Sequence, residues 1–210
     1  YLENRKIIKV SGLNCVVFLN NILTSDISKL KLLETRPSAL LSPQGRILYD
    51  ILVSLDFSNY SQEKSILIEY DFFCEEELIK KLNMYNLRKE VKIQKTNYYV
   101  FVSINSKSSK NSLRDKRFSN TNVNINRIYH KNKPVNFIHK SYTSNWYNLI
   151  RYKNCIPEGT KEIEINATLP LEINLDLLGG ISFEKGCFIG QEVNARIKYK
   201  GLVKRKYVPV

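Results

Sequence analysis

The sequence predicts an α+β fold built around an antiparallel sheet, and three observations support this class. Two apolar stretches, 38–41 and 47–55, flank a tight turn at 43–45, a pattern typical of a β-hairpin. Residues 75–85 begin with three acids and continue with apolar residues at helical spacing, as in an amphipathic helix. The predicted elements mix hairpins with single helices, which argues against a run of βαβ crossovers and a parallel sheet.

The other elements follow in chain order from the same patterns. Alternating apolar residues predict strands at 5–10, 65–70, 91–95, 98–104 and 123–129. Apolar residues at helical spacing predict helices at 13–23 and 144–152, the second ending before a Pro-Glu-Gly turn at 157–159. The basic stretch 105–117 is rich in Ser and Asn and is predicted to be a solvated loop.

Composition excludes several classes of protein. The chain has 210 residues, 43% of them apolar and 25% charged, so it can bury a core without disulfide or metal staples. No apolar stretch approaches the roughly 20 residues that span a bilayer, and no secretory leader is expected. The four cysteines, Cys15, Cys74, Cys155 and Cys187, show no zinc-site spacing, which indicates a reducing compartment. Cys15 and Cys74 are expected to be buried.

The charge balance is informative but not specific. Lys and Arg number 33 against 20 acids, a net charge of +13. Such an excess attracts nucleic acid, anionic lipid, acidic proteins or polyanionic cofactors, or it is an unselective basic surface. One basic stretch, 195–206, contains six cations and no acid.

Residues 179–196 carry the strongest chemical signal. Four of the eight glycines fall here, around Cys187. If residues 190–192 open a helix, the cysteine lies just before its positive end, and Lys185 is two residues away. Both neighbours would favour the thiolate, which binds soft metals and attacks electrophiles. The alternative is a buried structural cysteine in a Gly-rich turn.

The octapeptide Lys185-Gly186-Cys187-Phe188-Ile189-Gly190-Gln191-Glu192 resembles the K-G-C-[FY]-x-G-Q-E signature of the YgfZ family. This family comprises folate-binding iron–sulfur maintenance proteins of bacteria and a mitochondrial relative. Flanking similarity spans nearly the whole chain, at 10–12, 18–19, 23–26, 41–46, 169–172, 178–183, 195–196 and 201–205.

The resemblance implies a fold like that of the glycine-cleavage T-protein, with antiparallel sheets and a ferredoxin-like insert. Residues 1–45 and 138–206 would form a discontinuous first domain that carries the motif, and residues 46–137 would form the insert. Family members carry a further C-terminal β-barrel. Residues 207–210 would be its start, and the rest of this barrel would be either absent from the protein or outside the given residues.

The resemblance also implies a function. The expected protein is a non-enzymatic, folate-binding factor for the assembly or repair of iron–sulfur clusters in client enzymes, including tRNA-modifying radical enzymes. Cys187 would be a thiolate ligand of a transient [2Fe-2S] or [4Fe-4S] cluster, or a redox thiol. A cluster takes four ligands, so a partner chain, glutathione or a second copy of this chain would supply the rest. The expected partner proteins are A-type iron–sulfur carriers and client enzymes. The residues expected to support the motif are Lys185, Gly186, Gly190, Gln191, Glu192 and Arg196, the last two as a helical i,i+4 ion pair.

Tetrahydrofolate is the other expected cofactor. Trp146 and Tyr147 would form the platform for its pterin ring, with core packing as the alternative for each. Arg46 and the basic stretch that includes Lys198 would receive the glutamate tail.

Two other functions remain open on the sequence. A tetrahydrofolate-dependent aminomethyltransferase-like enzyme would use Asp50, which follows Tyr49 where the T-protein pattern has an acidic pair. The second is a basic RNA-binding module, although direct contact with nucleic acid is not expected because aromatic residues are sparse in the basic stretches. The expected compartment is the bacterial cytoplasm, with the mitochondrial matrix as the alternative.

Overall fold

The structure is a computed structural model that describes residues 1–56, 64–88, 90–105, 112–132 and 144–209. These residues form one sheet with the eight strands β1 (Arg5–Ser11), β2 (Glu34–Leu41), β3 (Ile47–Leu55), β4 (Ser65–Asp71), β5 (Lys92–Lys95), β6 (Tyr99–Ile104), β7 (Ser112–Asp115) and β8 (Ile125–His130). The helices are α1 (Cys15–Ile22), α2 (Glu75–Tyr85), α3 (Ser144–Lys153) and α4 (Gln191–Tyr199). None of the helices in the described ranges is long and apolar enough to cross a membrane.

The strand order is β5-β1-β4-β3-β2-β7-β8-β6, and every described pair is antiparallel except β2–β7. The predicted α+β class and the β2–β3 hairpin are confirmed. Strand β2 begins earlier than predicted, and it contains Pro37, which would not be expected within a central strand. The structure tolerates this proline because the described residues of β7 pair only with Glu34 and Thr35, so no described strand pairs with the other side of Pro37.

The sheet curls towards closure at its outer strands. β5 pairs with Ile8–Ser11 of β1, and the amide of Leu2 donates to the carbonyl of Val100 in β6 at 2.9 Å. The outer edge of β1 is therefore covered along most of its length, which protects it from pairing with another chain.

Alternation along the strands builds a core on each face of the sheet. Ile8 of β1 and Ile68 of β4 pack with α1 and α2, whereas Ile7 and Leu67 pack with residues around α3. The buried Cys15 and Cys74 belong to the α1–α2 core, which confirms their predicted burial.

A third core forms where residues 154–190, a series of turns in the described chain, pack onto the tip of the β2–β3 hairpin. Leu41 and Ile47 of the hairpin contact a cluster that includes Ile173, Ile181 and Phe188. This packing holds the predicted signature motif against the sheet.

The prediction of a solvated loop at 105–117 is wrong for its second half. Residues 106–111 lie outside the described residues, but β7 inserts between β2 and β8, and Asp115 and Arg117 are buried. The predicted domain boundary at 45/46 falls inside the β2–β3 hairpin, so strands of both predicted domains share the sheet. The division into domains stays a prediction.

Candidate functional site

The signature motif presents Cys187 to solvent while its neighbours are fixed in the fold. Phe188 is buried in the third core, and its backbone amide donates to Oε1 of Gln191 at 3.2 Å. Gly186 and Cys187 are exposed. The alternative of a buried structural cysteine is therefore wrong.

Lys185 connects the motif to the N-terminal segment. Its Nζ donates to the backbone carbonyls of Asn20 at 2.8 Å and Ser25 at 2.9 Å, and also to that of Leu23. The carbonyls near the end of a helix lack partners within the helix, so this ammonium satisfies the C-terminal end of α1. Burial lowers the pKa of Lys185 to about 8, and Asp26 opposes that shift.

Two glycines lie back to back beneath the motif. Gly45 in the hairpin turn and Gly190 at the start of α4 both have a left-handed backbone, with φ of 77°. A Cβ on Gly190 would lie 2.6 Å from the carbonyl oxygen of Ser42 and 2.8 Å from Cα of Gly45. The two turns can approach this closely only because both positions lack side chains.

Asn194, which the sequence analysis missed, joins these two turns. It is fully buried, and its Nδ2 donates to the carbonyls of Gly45 at 2.8 Å and Gly190 at 3.0 Å. The only available signal was its position on a predicted helix one turn after Gly190.

The other predicted motif contacts are of two kinds. Glu192 and Arg196 form the predicted i,i+4 ion pair at 3.0 Å, but both side chains are largely exposed, so the pair contributes little stability. The described residues contain no group of three or more potential metal ligands. Cys187, the candidate ligand, lies on an exposed loop.

Asp50 lies on the opposite face of β3 from Tyr49, as the strand alternation predicts. Its Oδ2 accepts from the amide of Gly159 at 3.1 Å and lies 3.4 Å from Nη1 of Arg5. Burial raises the pKa of Asp50, although Arg5 opposes the shift.

A buried charge cluster, also missed from the sequence, extends from Asp50 across the same face. It consists of Arg5, Glu69, Asp115, Arg117, Arg127 and Glu158, which are almost completely inaccessible. The carboxylate of Glu158 lies 2.6 Å from Arg127 and 2.8 Å from Arg117, and Glu69 lies 2.9 Å from Arg5. Burial would raise the pKa of Glu158, but Arg127, Arg117 and Arg5 together hold it well below its usual range.

The four predicted folate residues are not gathered into one pocket. The hydroxyl of Tyr147 joins the buried charge cluster, donating to Glu158 at 2.8 Å, and its ring packs against the guanidinium groups of Arg127 and Arg151. Trp146, its neighbour on α3, is 54% exposed. Tyr147 is thus a core residue, and its position does not suit a pterin platform.

The two predicted tail-binding cations are also apart. Arg46 lines a cleft of about 540 Å³ with Lys204 and Arg205 over an apolar floor that includes Leu171 and Ile197. Lys198 does not line this cleft and lies 3.7 Å from Asp176. The cleft suits an anionic tail, but the described residues do not add an aromatic platform to it.

Comparison with known proteins gives a consistent family of relatives, although no family model matches the chain. The iron–sulfur cluster assembly factor IBA57 homolog, mitochondrial, of Dictyostelium discoideum is 27% identical over 249 residues, covering 100% of this chain and 61% of that protein. The iron–sulfur cluster assembly factor IBA57, mitochondrial, of Mus musculus is 27% identical over 231 residues, covering 100% of this chain and 64% of that protein. The chain is homologous to these factors. It spans roughly half to two thirds of the length of such relatives.

A shorter match is closer in sequence. The mitochondrial IBA57 homolog of Phaeosphaeria nodorum is 46% identical over 65 residues, covering 31% of this chain and 16% of that protein. These relatives carry mitochondrial names, so the bacterial cytoplasm has no support among them.

Among solved structures, the crystal structure of glycine cleavage system aminomethyltransferase T from Bartonella henselae matches with a TM-score of 0.65. The match covers 94% of this chain and 62% of that one at 14% identity, and it shows the fold alone. The predicted T-protein-like fold is confirmed.

Proposed function

We propose that the chain is part of a non-enzymatic factor of the YgfZ family that supports assembly or repair of iron–sulfur clusters, and that it works in the mitochondrial matrix. Cys187 is the thiolate ligand of a cluster shared with a partner protein. The partners are A-type carriers or client enzymes, with tRNA-modifying radical enzymes among the expected clients. The names of its homologues support the general role, and the site supports the part given to Cys187.

The observation that carries the proposal is an exposed thiol on a loop that is held from three sides. Lys185 binds the end of α1, Phe188 is buried in the third core, and Asn194 fixes the start of α4. A structural cysteine would not need to face solvent, whereas a ligand offered to a second protein must be exposed and positioned.

One thiol cannot hold a cluster, because iron–sulfur clusters take four protein ligands. The described part of the chain contains no group of three or more side chains that could hold a metal ion. In this proposal the remaining ligands come from the partner. Binding requires the thiolate, so ligation releases the proton of Sγ. The same exposed sulfur would serve as the redox thiol in the alternative form of this proposal.

The aminomethyltransferase alternative has the fold in its favour and the surroundings of Asp50 against it. A general base needs access to its substrate. The Asp50 carboxylate instead accepts from the amide of Gly159 and lies 3.4 Å from Nη1 of Arg5. Folate binding also stays a prediction. It is tested by calorimetric titration of tetrahydrofolate into the wild-type protein and into the Arg46→Ala variant.

The test is anaerobic reconstitution with iron and sulfide, alone and with an A-type carrier, followed by visible absorption and circular dichroism. We expect a cluster spectrum that needs both proteins and disappears in Cys187→Ser. Cys155→Ser is the matched control, since Cys155 is only half-buried and lies outside the motif. A mixed-protein spectrum unchanged by Cys187→Ser would overturn the proposed ligand role.

A further inference from the structure

The cleft beside Arg46 combines an apolar interior with a basic mouth. Its volume of about 540 Å³ is typical of pockets that hold small molecules. Leu171 in its floor is buried, and Ile197 and Val203 in its walls are half-buried. Lys204, which also lines the cleft, is exposed. A ligand that fills the cleft therefore meets aliphatic groups inside and positive charge at the opening.

The protein neutralises only part of this charge. Nε of Arg205 lies 3.1 Å from Oε1 of Glu172, the acid in the described lining of the cleft. Arg46 donates instead to the backbone carbonyl of Ala167, which is neutral. In the described ranges neither Arg46 nor Lys204 has a carboxylate within 4 Å. Two cations of the cleft are thus left to balance the charge of a bound anion.

The apolar part of the cleft favours an aliphatic ligand over a flat ring. The apolar residues in its described lining are all leucine, isoleucine or valine. Pterins and nucleobases bind by stacking on aromatic side chains, and none of the described lining residues is aromatic. Inorganic phosphate would meet the cations but would leave the apolar interior in contact with water. A hydrocarbon chain that ends in an anionic group satisfies both parts of the cleft.

The cleft lies between the hairpin and α4, the two elements that Asn194 joins. Arg46 directly follows Gly45, whose carbonyl accepts from Nδ2 of Asn194. Ile197 lies three residues after Asn194 on α4. A ligand that contacts both Arg46 and Ile197 spans these elements and requires their folded arrangement. Its binding should therefore stabilise the protein against thermal unfolding.

We propose that this cleft binds a medium-chain fatty carboxylate. The hydrocarbon chain lies against Leu171 and Ile197, and the carboxylate accepts from Arg46 and pairs with Lys204. A guanidinium suits this role because its planar fork of donors matches the geometry of a carboxylate. The inference goes beyond the proposed cluster role of Cys187 and does not depend on it. It also assigns to the cleft a ligand other than the glutamate tail of folate.

The test is calorimetric titration of the full chain with hexanoate, octanoate and decanoate. We expect the affinity to rise with chain length, by up to about fourfold for each methylene group that becomes buried. Octylammonium has the same chain as octanoate with the opposite charge, and it should bind about tenfold more weakly or not at all. Decanoate should also raise the midpoint of thermal unfolding, because it binds the folded protein.

Two variants assign the binding to the cleft. Arg46→Gln removes the charge-assisted hydrogen bonds and should weaken octanoate binding by about tenfold or more. Lys204→Met removes an exposed charge and should weaken it by about twofold to fivefold. Lys200→Met is the matched control, because Lys200 is an exposed lysine that does not line the cleft. Since the Lys204 side chain is exposed, its variant keeps the test valid even if Arg46→Gln does not fold.

Three results would each overturn the proposal: no binding of the carboxylates, equal binding of octanoate and octylammonium, or equal weakening by Lys204→Met and Lys200→Met. Tetrahydrofolate that binds with a dependence on Arg46 and Lys204, while the carboxylates do not bind, would assign the cleft to folate instead. Repeating the titration with Cys187→Ser separates this proposal from the cluster role. Octanoate binding that persists without the thiol supports the cleft as a site, even if the shared cluster is not formed.

Discussion

Replacing Gly190 with alanine tests whether the back-to-back glycine turns hold the motif in place. The left-handed backbone at φ 77° costs an L-residue about 1–2 kcal/mol. The added Cβ also meets backbone atoms of Ser42 and Gly45 at 2.6 and 2.8 Å, which cannot rotate away. Forcing such overpacked atoms apart costs about 1–3 kcal/mol. We therefore expect Gly190→Ala to lower the free energy of unfolding by about 2–5 kcal/mol.

Two other glycines separate these contributions. Gly179 has φ of 75°, and a Cβ at this position would have no neighbouring atom within 4 Å, so Gly179→Ala should cost only the backbone strain of about 1–2 kcal/mol. Gly186 has open space and no left-handed backbone, so Gly186→Ala should change stability by less than about 1 kcal/mol.

The assay is urea denaturation followed by circular dichroism, with the free energy of unfolding taken from midpoint and slope. The expected order of destabilisation is Gly190→Ala, then Gly179→Ala, then Gly186→Ala. A Gly190→Ala protein no less stable than Gly179→Ala would refute the close approach of the two turns.

Three further predictions concern buried polar groups. Lys185→Met removes the donor for three carbonyls and should lower the free energy of unfolding by about 1–3 kcal/mol in urea, whereas Lys29→Met at an exposed position should not. Asn194→Asp should be more destabilising than Asn194→Ala in thermal unfolding, because a carboxylate cannot donate and would face two carbonyl oxygens; the reverse order would contradict the assigned hydrogen bonds. Burial would raise the pKa of Glu158, but neighbouring arginines hold it well below its usual 4.5. The contribution of Glu158 to stability is therefore complete above pH 4.5 and is lost as the pH falls. Glu158→Gln should flatten the acid side of the stability–pH curve, whereas Glu192→Gln, at an exposed position, should leave the curve unchanged.

Local patterns were sufficient for one strand and one helix. Strand β3 and helix α2 have the bounds that the sequence predicts, 47–55 and 75–85. The helix carries its apolar residues on one face, and the strand is a mostly apolar run that follows a hairpin turn. Strand β7 has four residues, two of them charged, so no period marks it.

The buried charge cluster could not be predicted because its partners are far apart in the chain. Arg127 meets Glu69 and Glu158, 58 and 31 positions away by residue number, and only the folded sheet brings them together. A partial signal existed in Glu69, which follows the apolar run 66–68 in its strand and, if buried, requires a cation.

The candidate site was predicted only in part, because some of its contacts also join residues that are far apart in the chain. Gly190, Cys187 and the Glu192–Arg196 pair follow from local sequence and from the family signature. The role of Asn194 depends on Gly45, which is 149 residues away, and that of Lys185 depends on carbonyls at 20–25. Local sequence identifies the residue types at the site, and long-range packing determines what they contact.

The order of synthesis matters for a core that pairs Arg127 with Glu158. These residues are 31 positions apart, so at about 5–20 residues per second the arginine leaves the ribosome roughly 2–6 s before its carboxylate partner. Lys185 lies 162 positions after Leu23, so the carbonyl of Leu23 is made roughly 8–32 s before its partner at the same speed. During this interval the arginines that become buried lack their partner Glu158, and the C-terminal end of α1 lacks the ammonium of Lys185. We expect the growing chain to depend on chaperones until the C-terminal third has been made.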